Sequence, residues 1–487
     1  MLSTRNLRPR ALFTNLIGLT KMNRGEMTAG PMLEDTIIAI STPSGSGGLG
    51  VVRLSGPRAL SIARRIFKPR RLRWKDLQPQ VFVLGDIYDG GKKAFIDEAF
   101  FVHFAAPRSY TKENVVEISC HGSPVVLDEI VRLGTRAGAR IAHPGEFTLR
   151  AYLQGRLDLV QAEAVNDLIE ATSLTQAKIS LGQLRGGLSK HIGILRAEIV
   201  ELMTLVESGI EFPEEGLGIE VAESEKRLEA LLWTVRQLVS SYEAGKAMTE
   251  GLDLAIVGRA NVGKSTLFNA LLEQERAIVS PYPGTTRDYL REMIKINDAR
   301  FHLTDTAGLE DSTHPVEKEG VRKSGEMAHR ADGILMVVDS SRKESRADLN
   351  LIERFKSKKM ILLFSKADLP RRVDRRRCLA PVRKTCWLEI SARTGKNLEE
   401  LRAAIYDCFK PKQDRGDEVI LHLRQKLLFD DIASGLEKAL DLLRKGHTDE
   451  VWTEEIRGIL PFIGQLTGEI RSEEIINRIF SHFCVGK

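Results

Sequence analysis

A chain of 487 residues is long enough for about three domains, and with 42% hydrophobic and 28% charged residues it has an ordinary soluble, globular make-up. No apolar run approaches the ~18 residues of a membrane span, and five scattered cysteines without a CxxC pair exclude a disulfide framework and a zinc site. The net charge is only +6, half of it in the first 34 residues, so bulk charge does not point to a nucleic-acid partner.

Residues 1–34 form an N-terminal extension in which Arg5, Arg8, Arg10, Lys21 and Arg24 are interspersed with Ser, Thr and Leu. That is the composition of a mitochondrial presequence. A disordered tail or a start assigned too early fits it as well, because Met22, Met27 and Met32 follow. The expected location is cytoplasmic, or mitochondrial if the basic stretch is a presequence.

From Asp35 the pattern is mixed. TIIAI reads as a strand, STPSGSGGLG as a turn-rich loop, VVRLSG as a strand, and PRALSIARRIF as a helix started by Pro57. VFVLGDI, EAFFVHF and VVEISCHG add strands, giving a small α+β domain over 35–147. Over 148–250 apolar residues recur at helical spacing in LDLVQAEAVNDLIEA, AKISLGQLRGGLSKHIGILRAEIVELMTLVESGI and EKRLEALLWTVRQLVSSYEAG, and the pattern resumes over 412–487. Each block is too thin to bury its own stripe, so the two are expected to pack together. Between them, 251–411 alternates helices with the apolar runs LDLAIVG, FHLTD, ADGILMVVD, KMILLFS and CWLEISA, as a parallel sheet covered on both faces requires. The expected fold is multidomain α+β: an N-terminal α/β domain, a helical bundle, and an inserted Ras-like α/β P-loop domain.

The inserted segment carries a nucleotide site. Gly258-Arg-Ala-Asn-Val-Gly263-Lys264-Ser265 matches GxxxxGK[ST] between the strand LDLAIV and the helix STLFNALL. Glycines let backbone N–H groups wrap phosphates at a helix N-terminus. Lys264 would reach the β- and γ-phosphates and Ser265 would hold Mg²⁺, with Asn261, Val262, Gly263 and Thr266 completing the cradle. In the loop Gly284-Thr-Thr-Arg-Asp288, Thr286 is placed to sense Mg²⁺ and the γ-phosphate. Asp305-Thr306-Ala307-Gly308 ends a strand, so Asp305 can hold the metal's water shell. Ser391-Ala392-Arg393 would support the base. The base-reading element, usually NKxD, is Ser365-Lys366-Ala-Asp368. Asp368 can still accept from the guanine edge, but Ser365 is too short to duplicate an asparagine amide. The expected loss is about one neutral hydrogen bond, ~0.5–1.5 kcal/mol or roughly two- to tenfold in GTP affinity, recoverable by Ser365→Asn; the alternative is that water fills the gap at no cost.

Beyond these motifs the chain resembles the tRNA uridine-5-carboxymethylaminomethyl modification GTPases (the MnmE/TrmE-like family). The likeness rests on GSGGLG with VVRLSG, EISCHGSP, PGEFTLRAYLQGRLDLVQAEAV, GTTRD, DTAGL and the terminal Phe483-Cys-Val-Gly-Lys487, and spans about 35–487. The resemblance implies that the chain, with a flavin-dependent (FAD) partner, adds a carboxymethylaminomethyl-type group to C5 of the tRNA wobble uridine, taking carbon from a tetrahydrofolate derivative while GTP hydrolysis drives a conformational cycle. It implies a folate-binding N-terminal domain that forms a homodimer, and a heterotetramer with the flavin protein. Arg53, Glu117 and Lys487 match folate-site positions, and Arg156 stands where a Lys is common, keeping charge but not shape. It further implies K⁺ in place of an arginine finger, held by Asn261, Ser280, Tyr282 and Thr285 around the GTP, and Glu317 as the catalytic carboxylate, since Leu309 follows DTAG where a water-orienting Gln would stand. Cys484 is a second catalytic candidate if its pKa is lowered. An alternative is a ribosome-assembly GTPase that binds rRNA. Such proteins share GxxNxGKS and GTTRD but end in a basic RNA-binding domain, not in FCVGK.

Overall fold

The computed structural model describes residues 34–486 other than 213, 215–218, 250, 274–290, 298, 306–324, 383–384, 410–418, 471 and 482. The expectations for the extension and for Ser280, Tyr282, Thr285, Thr286, Thr306, Ala307, Gly308, Glu317 and Lys487 therefore lie outside the described residues. The chain divides into two compact units. One closes at Leu157 and regains the chain after Ile470; the other runs Asp158–Ile470.

The first unit is built on seven strands: β1 (Ile37–Ile40), β2 (Gly47–Ser55), β3 (Phe67–Pro69), β4 (Val83–Asp89), β5 (Ala94–Phe104), β6 (Val115–Gly122) and β7 (Arg140–Ile141). Their order is β3-β4-β5-β6-β2-β1-β7, antiparallel except for the β1–β7 pair. Alternation puts Val52 and Leu54 of β2 and Val116 and Ile118 of β6 on one face, where they pack with α1 (Ala59–Ile66) and α2 (Pro124–Arg136). The Gly-dense loop expected before VVRLSG is partly strand. β2 begins at Gly47, opposite Gly122, and a Cβ at Gly122 would lie 2.5 Å from the Gly47 carbonyl oxygen. Only glycine permits backbones that close.

This unit does not end near Phe147. Helix α3 (Glu146–Leu153) belongs to it, because Phe147 is buried with Ile37, Ala39 and Ala142, and Arg150 is fully buried. The Arg150 guanidinium is held by Glu113 at 3.2 Å, Glu146 at 3.0 Å, and Asp35. A buried arginine is tolerable only when paired in this way.

The second unit carries α4 (Leu159–Ile169), α5 (Leu174–Leu184), α6 (Gly187–Glu211) and α7 (Val221–Thr249). Asp158 caps α4 with a reciprocal box to Gln161. The long apolar block expected as one helical run is broken between α5 and α6 at Gly186, whose φ of 89° is open chiefly to glycine. The sheet of the inserted segment follows: β8 (Leu252–Val257), β9 (Arg291–Ile296), β10 (Ala299–Asp305), β11 (Gly333–Asp339), β12 (Met360–Ser365) and β13 (Cys386–Glu389), ordered β13-β12-β11-β8-β10-β9. All pairs are parallel except β9–β10. Every residue of β11 and β12 is buried, as continuous apolar runs require. Helices α8 (Lys264–Glu273) and α10 (Leu398–Phe409) cover one face and α9 (Arg346–Arg354) the other.

The chain then re-enters the bundle as α11 (Leu423–Arg444), α12 (Asp449–Arg457) and α13 (Leu460–Thr467), which share one core with α6 and α7. The two helical blocks thus pack together. The return segment is tightly gripped. Gln183 Nε2 donates to the Val419 carbonyl at 2.6 Å and Ile420 N–H donates to Ser241 Oγ at 3.0 Å. The β9–β10 hairpin holds the α4–α5 corner through Arg300, which donates to Thr172 Oγ1 at 2.7 Å and the Glu170 carbonyl at 2.6 Å. After Ile470 the chain rejoins the first unit: α14 (Glu473–Phe480) meets α3, and Phe480 packs on Tyr152 with ring centroids 6.3 Å apart. The C-terminal stretch expected to continue the bundle thus leaves it at Ile470.

Beside the return segment, the α4–α11 contact is ionic. Arg424 pairs with Glu163 at 2.9 Å and His422 with Asp167 at 2.8 Å. Burial pushes the His422 ring down, but the Glu163 charge and the Asp167 hydrogen bond outweigh it and lift the ring to about 9. A pKa raised on folding contributes stability that is fully present below the unfolded value of about 6.5 and is lost as pH rises through the folded one. Urea unfolding should therefore show stability level below about pH 6.5 and falling by on the order of 2 kcal/mol towards pH 9. His422→Gln should be less stable at pH 6 and lack that fall; an unchanged profile refutes the assignment.

Candidate functional site

Two sites emerge, one in each unit. In the second, β8 points its C-terminal end at residues 258–263, and α8 starts at Lys264. A Cβ at Gly258 would lie 2.5 Å from the Val337 carbonyl oxygen, and Asn261 and Gly263 take φ of 64° and 102°. The loop is thus bent tightly at the helix N-terminus, where backbone N–H groups and the helix dipole favour an anion. Lys264 is buried, its Nζ donating to the Arg259 carbonyl at 2.8 Å. Ser265 Oγ donates to Asp305 Oδ2 at 2.6 Å. Asp305 Oδ1 is buried with no hydrogen-bond partner among the described residues. A carboxylate with one oxygen on the P-loop serine and the other unsatisfied fits a hydrated divalent cation.

The base-reading loop is tied to the same cradle. Lys366, at φ 57°, donates through Nζ to the Asn261 carbonyl at 2.9 Å and to Asp339 Oδ2 at 2.6 Å. Asp368 is exposed, and Ser391 Oγ donates to its Oδ1 at 2.7 Å; that bond holds the carboxyl below its usual value, so it stays an acceptor. Ser391 is fully buried, while Arg393 is exposed beside it. Ser365 is buried, its hydroxyl donating to the Val262 carbonyl at 2.6 Å, with the Val338 carbonyl at 3.2 Å. It therefore ties the base loop to the phosphate loop.

In the first unit, Arg53 of β2 stands directly opposite Glu117 of β6, and its Nε donates to Glu117 Oε1 at 2.8 Å. The guanidinium lies 5.8 Å from the Tyr110 ring centroid and 5.6 Å from that of Phe147. The C-terminal tail arrives at the same point. Val485 bridges to Pro144, the Gly145 N–H donates to the Cys484 carbonyl at 3.3 Å, and the Gly486 carbonyl accepts from Ser41 Oγ at 3.1 Å and Arg53 at 3.4 Å. Arg156 donates to the Tyr110 carbonyl at 2.9 Å, its guanidinium 4.7 Å from that ring's centroid. Of the five cysteines, Cys484 is the exposed one; burial pushes the Cys120 and Cys378 thiols up to about 11 and about 12.

Two family models match the chain: the GTP-binding protein TrmE N-terminus over residues 36–156 and the MnmE helical domain over 159–484. Among curated proteins, the tRNA modification GTPases MnmE of Syntrophus aciditrophicus and Aquifex aeolicus are each 38% identical, over 94% and 93% of this chain and the full length of both relatives. The chain belongs to the MnmE family of tRNA modification GTPases. A solved structure, the G domain of the T. maritima FeoB iron transporter, is 27% identical over 32% of this chain and 98% of its own, with a TM-score of 0.26.

In this MnmE-family chain the sequence-selected Val262, Lys264, Ser265, Asp305, Ser365, Lys366, Asp368 and Ser391 converge on one cradle. Thr266 is exposed in the first turn of α8, and Ala392 packs against the core beneath the base loop. Arg53, Glu117 and the tail before Lys487 form the second group, with Arg156 one ring away. Two participants were not singled out in the sequence. Asp339 orients Lys366, and its only sequence signal is an acidic residue closing the apolar run of β11. Tyr110 joins Arg53 to Arg156 and carries no motif. Removing the Ser365 hydroxyl should loosen the link between base and phosphate loops. Ser365→Ala is expected to weaken GTP binding by roughly fivefold, the worth of about 1 kcal/mol, in a fluorescent-nucleotide titration; unchanged affinity would show the tie to be idle.

Proposed function

We propose that this tRNA modification GTPase is potassium-stimulated and acts with a flavin-dependent partner, adding a carboxymethylaminomethyl-type group to C5 of the wobble uridine from a tetrahydrofolate carbon donor. The observation that carries the folate part is the convergence of the Arg53–Glu117 pair with the carbonyl of Gly486, next to the terminal lysine. An acceptor and a fork of donors side by side can read the amide-like edge of a pteridine ring. Lys487, the next residue in sequence, would add a cation, and Arg156 a second.

For the nucleotide, the cradle at 258–265 binds the phosphates and Lys264 swings from the Arg259 carbonyl to the β- and γ-phosphates. Asp368 and Lys366 select guanine. Ser265 and Thr286 would hold Mg²⁺, and Asn261, Ser280, Tyr282 and Thr285 would hold K⁺; cations there neutralise charge growing on the leaving phosphate. Glu317 orients the attacking water. Cys484, exposed on the tail, would give or take a proton during transfer to the uridine.

The exposed apolar stripe of the N-terminal sheet supports a homodimer. Leu84 stands opposite Phe100, and Phe82, Phe95 and Phe100 are about half or more exposed. Among the described residues no helix is long and apolar enough to cross a membrane, consistent with work in the cytoplasm beside the flavin protein.

Wobble nucleosides from cells lacking the gene, complemented with this chain or its Cys484→Ser form and read by mass spectrometry, test the whole reading. The wild-type chain should restore the modified uridine and the variant should not, while GTP turnover of both is faster in potassium than in sodium buffer. Failure of the wild-type chain to restore the nucleoside rejects the proposal.

A further inference from the structure

Beside Tyr110 the first unit contains an open cavity of about 480 Å³ lined by Phe104, Pro107, Arg108, Ser109, Tyr110, Lys112 and Arg156. Three of its seven lining residues are cations and none is an acid. Two of the cations are held in place by neutral groups. Lys112 Nζ donates to the carbonyls of Gln154 and Gly155 at 2.9 and 3.0 Å, and Arg156 donates to the Tyr110 carbonyl and lies over its ring. Arg108 is exposed, and no described residue pairs with its guanidinium. Cations fixed by carbonyls rather than carboxylates keep their charge uncompensated, so the cavity is an anion receptor.

Tyr110 is a wall shared with the Arg53–Glu117 pair, since both Arg53 and Arg156 lie against its ring, 5.8 and 4.7 Å from the centroid. A one-carbon folate has the matching polarity: a neutral hydrogen-bonding ring at one end, and at the other one or more γ-linked glutamates that each add a carboxylate. We propose that this cavity receives the γ-glutamyl tail of the one-carbon folate, with Arg108, Lys112 and Arg156 binding its carboxylates, so that the protein favours polyglutamylated over monoglutamylated carriers. This rests on the folate reading of Arg53 and Glu117. A tRNA backbone fits less well, because phosphates strung along a strand need a row of cations on open surface, whereas these three ring one cavity.

The test is calorimetric titration of the full chain with mono- and pentaglutamyl 5-formyltetrahydrofolate, for wild type and Arg108→Glu, each checked for an unchanged unfolding midpoint. Arg108 makes no side-chain contact that folding needs, so the variant should fold. The pentaglutamate should bind the wild type about tenfold more tightly, the worth of one or two screened charge-assisted contacts. That gain should shrink to about twofold or less in Arg108→Glu and fall with added salt. Equal affinities of the two forms for the wild type, or a gain untouched by Arg108→Glu, overturns the tail assignment while leaving the folate site standing. If Arg108→Glu weakens tRNA binding and leaves the glutamate gain intact, the cavity serves phosphate and the proposal falls. Absence of binding by either folate to the wild type removes the folate reading itself, and this proposal with it.

Discussion

Ser265→Ala should lower GTP turnover by about 10²- to 10³-fold, the usual cost of losing a group that organises charge at a phosphoryl-transfer site. The hydroxyl lost is the one that donates to Asp305 Oδ2 at 2.6 Å, at the mouth of a loop already bent to receive phosphates. Without it the aspartate loses its tie to the P-loop, while its second oxygen remains buried and unsatisfied among the described residues. A divalent cation would then have one protein ligand fewer. The concentration of Mg²⁺ needed for half-maximal turnover should therefore rise together with the fall in rate. Ser265 is exposed, so its removal opens no core cavity and the fold should persist. The measurement is phosphate release against Mg²⁺ concentration for both proteins. A variant with wild-type turnover and an unshifted Mg²⁺ midpoint would show that this serine does not serve the metal.

The cradle was legible because its chemistry constrains the backbone before any tertiary contact forms. Gly258 and Gly263 are there because a side chain would collide or the φ would be forbidden, and Lys264 and Ser265 follow at the only spacing that starts a helix behind the loop. The parallel sheet was legible for a related reason: a strand buried on both faces has to be apolar throughout, and β11 and β12 are. What escaped was long-range. Arg150 reads as a solvated charge on an amphipathic helix, yet three carboxylates from Asp35, Glu113 and Glu146 draw it into the first unit and move the boundary past Phe147 to Leu157. Only the folded chain brings those acids together. From sequence, Ser365 is a shortened asparagine facing the base, because a motif records which residue is present and not where its hydroxyl turns. In the structure the hydroxyl turns to Val262, a partner 103 residues away in sequence. Tyr110 escaped for the opposite reason: a single aromatic in the polar stretch Arg108-Ser-Tyr-Thr-Lys112 carries no spacing that distinguishes a wall of a site from an ordinary loop residue.

The docking of the C-terminal tail sets the second large expected effect. Gly486 adopts φ of 95°, and a Cβ there would lie 2.2 Å from the Ile40 carbonyl oxygen, against backbone held in the β1–β2 ladder, where Ile40 stands opposite Val52. Gly486→Val meets both obstacles, the left-handed conformation that a β-branched residue resists and the collision itself. The tail should therefore lift from Ser41 and Arg53, carrying Cys484 and the terminal lysine with it. Wobble-uridine modification should fall at least ~100-fold if those groups act at the uridine and the folate, an expectation in line with losing several positioned groups at once. Affinity for 5-formyltetrahydrofolate should drop by about tenfold, the worth of one charge-assisted contact. The nucleotide cradle belongs to the other compact unit, so GTP binding should stay within about twofold of wild type. Should the variant keep full modification, the tail's meeting with Arg53 would be a matter of packing alone. Loss of GTP binding alongside modification would instead trace the defect to general misfolding, which Gly486→Ala, meeting the same carbonyl with a smaller side chain, would separate by producing the same pattern in milder form.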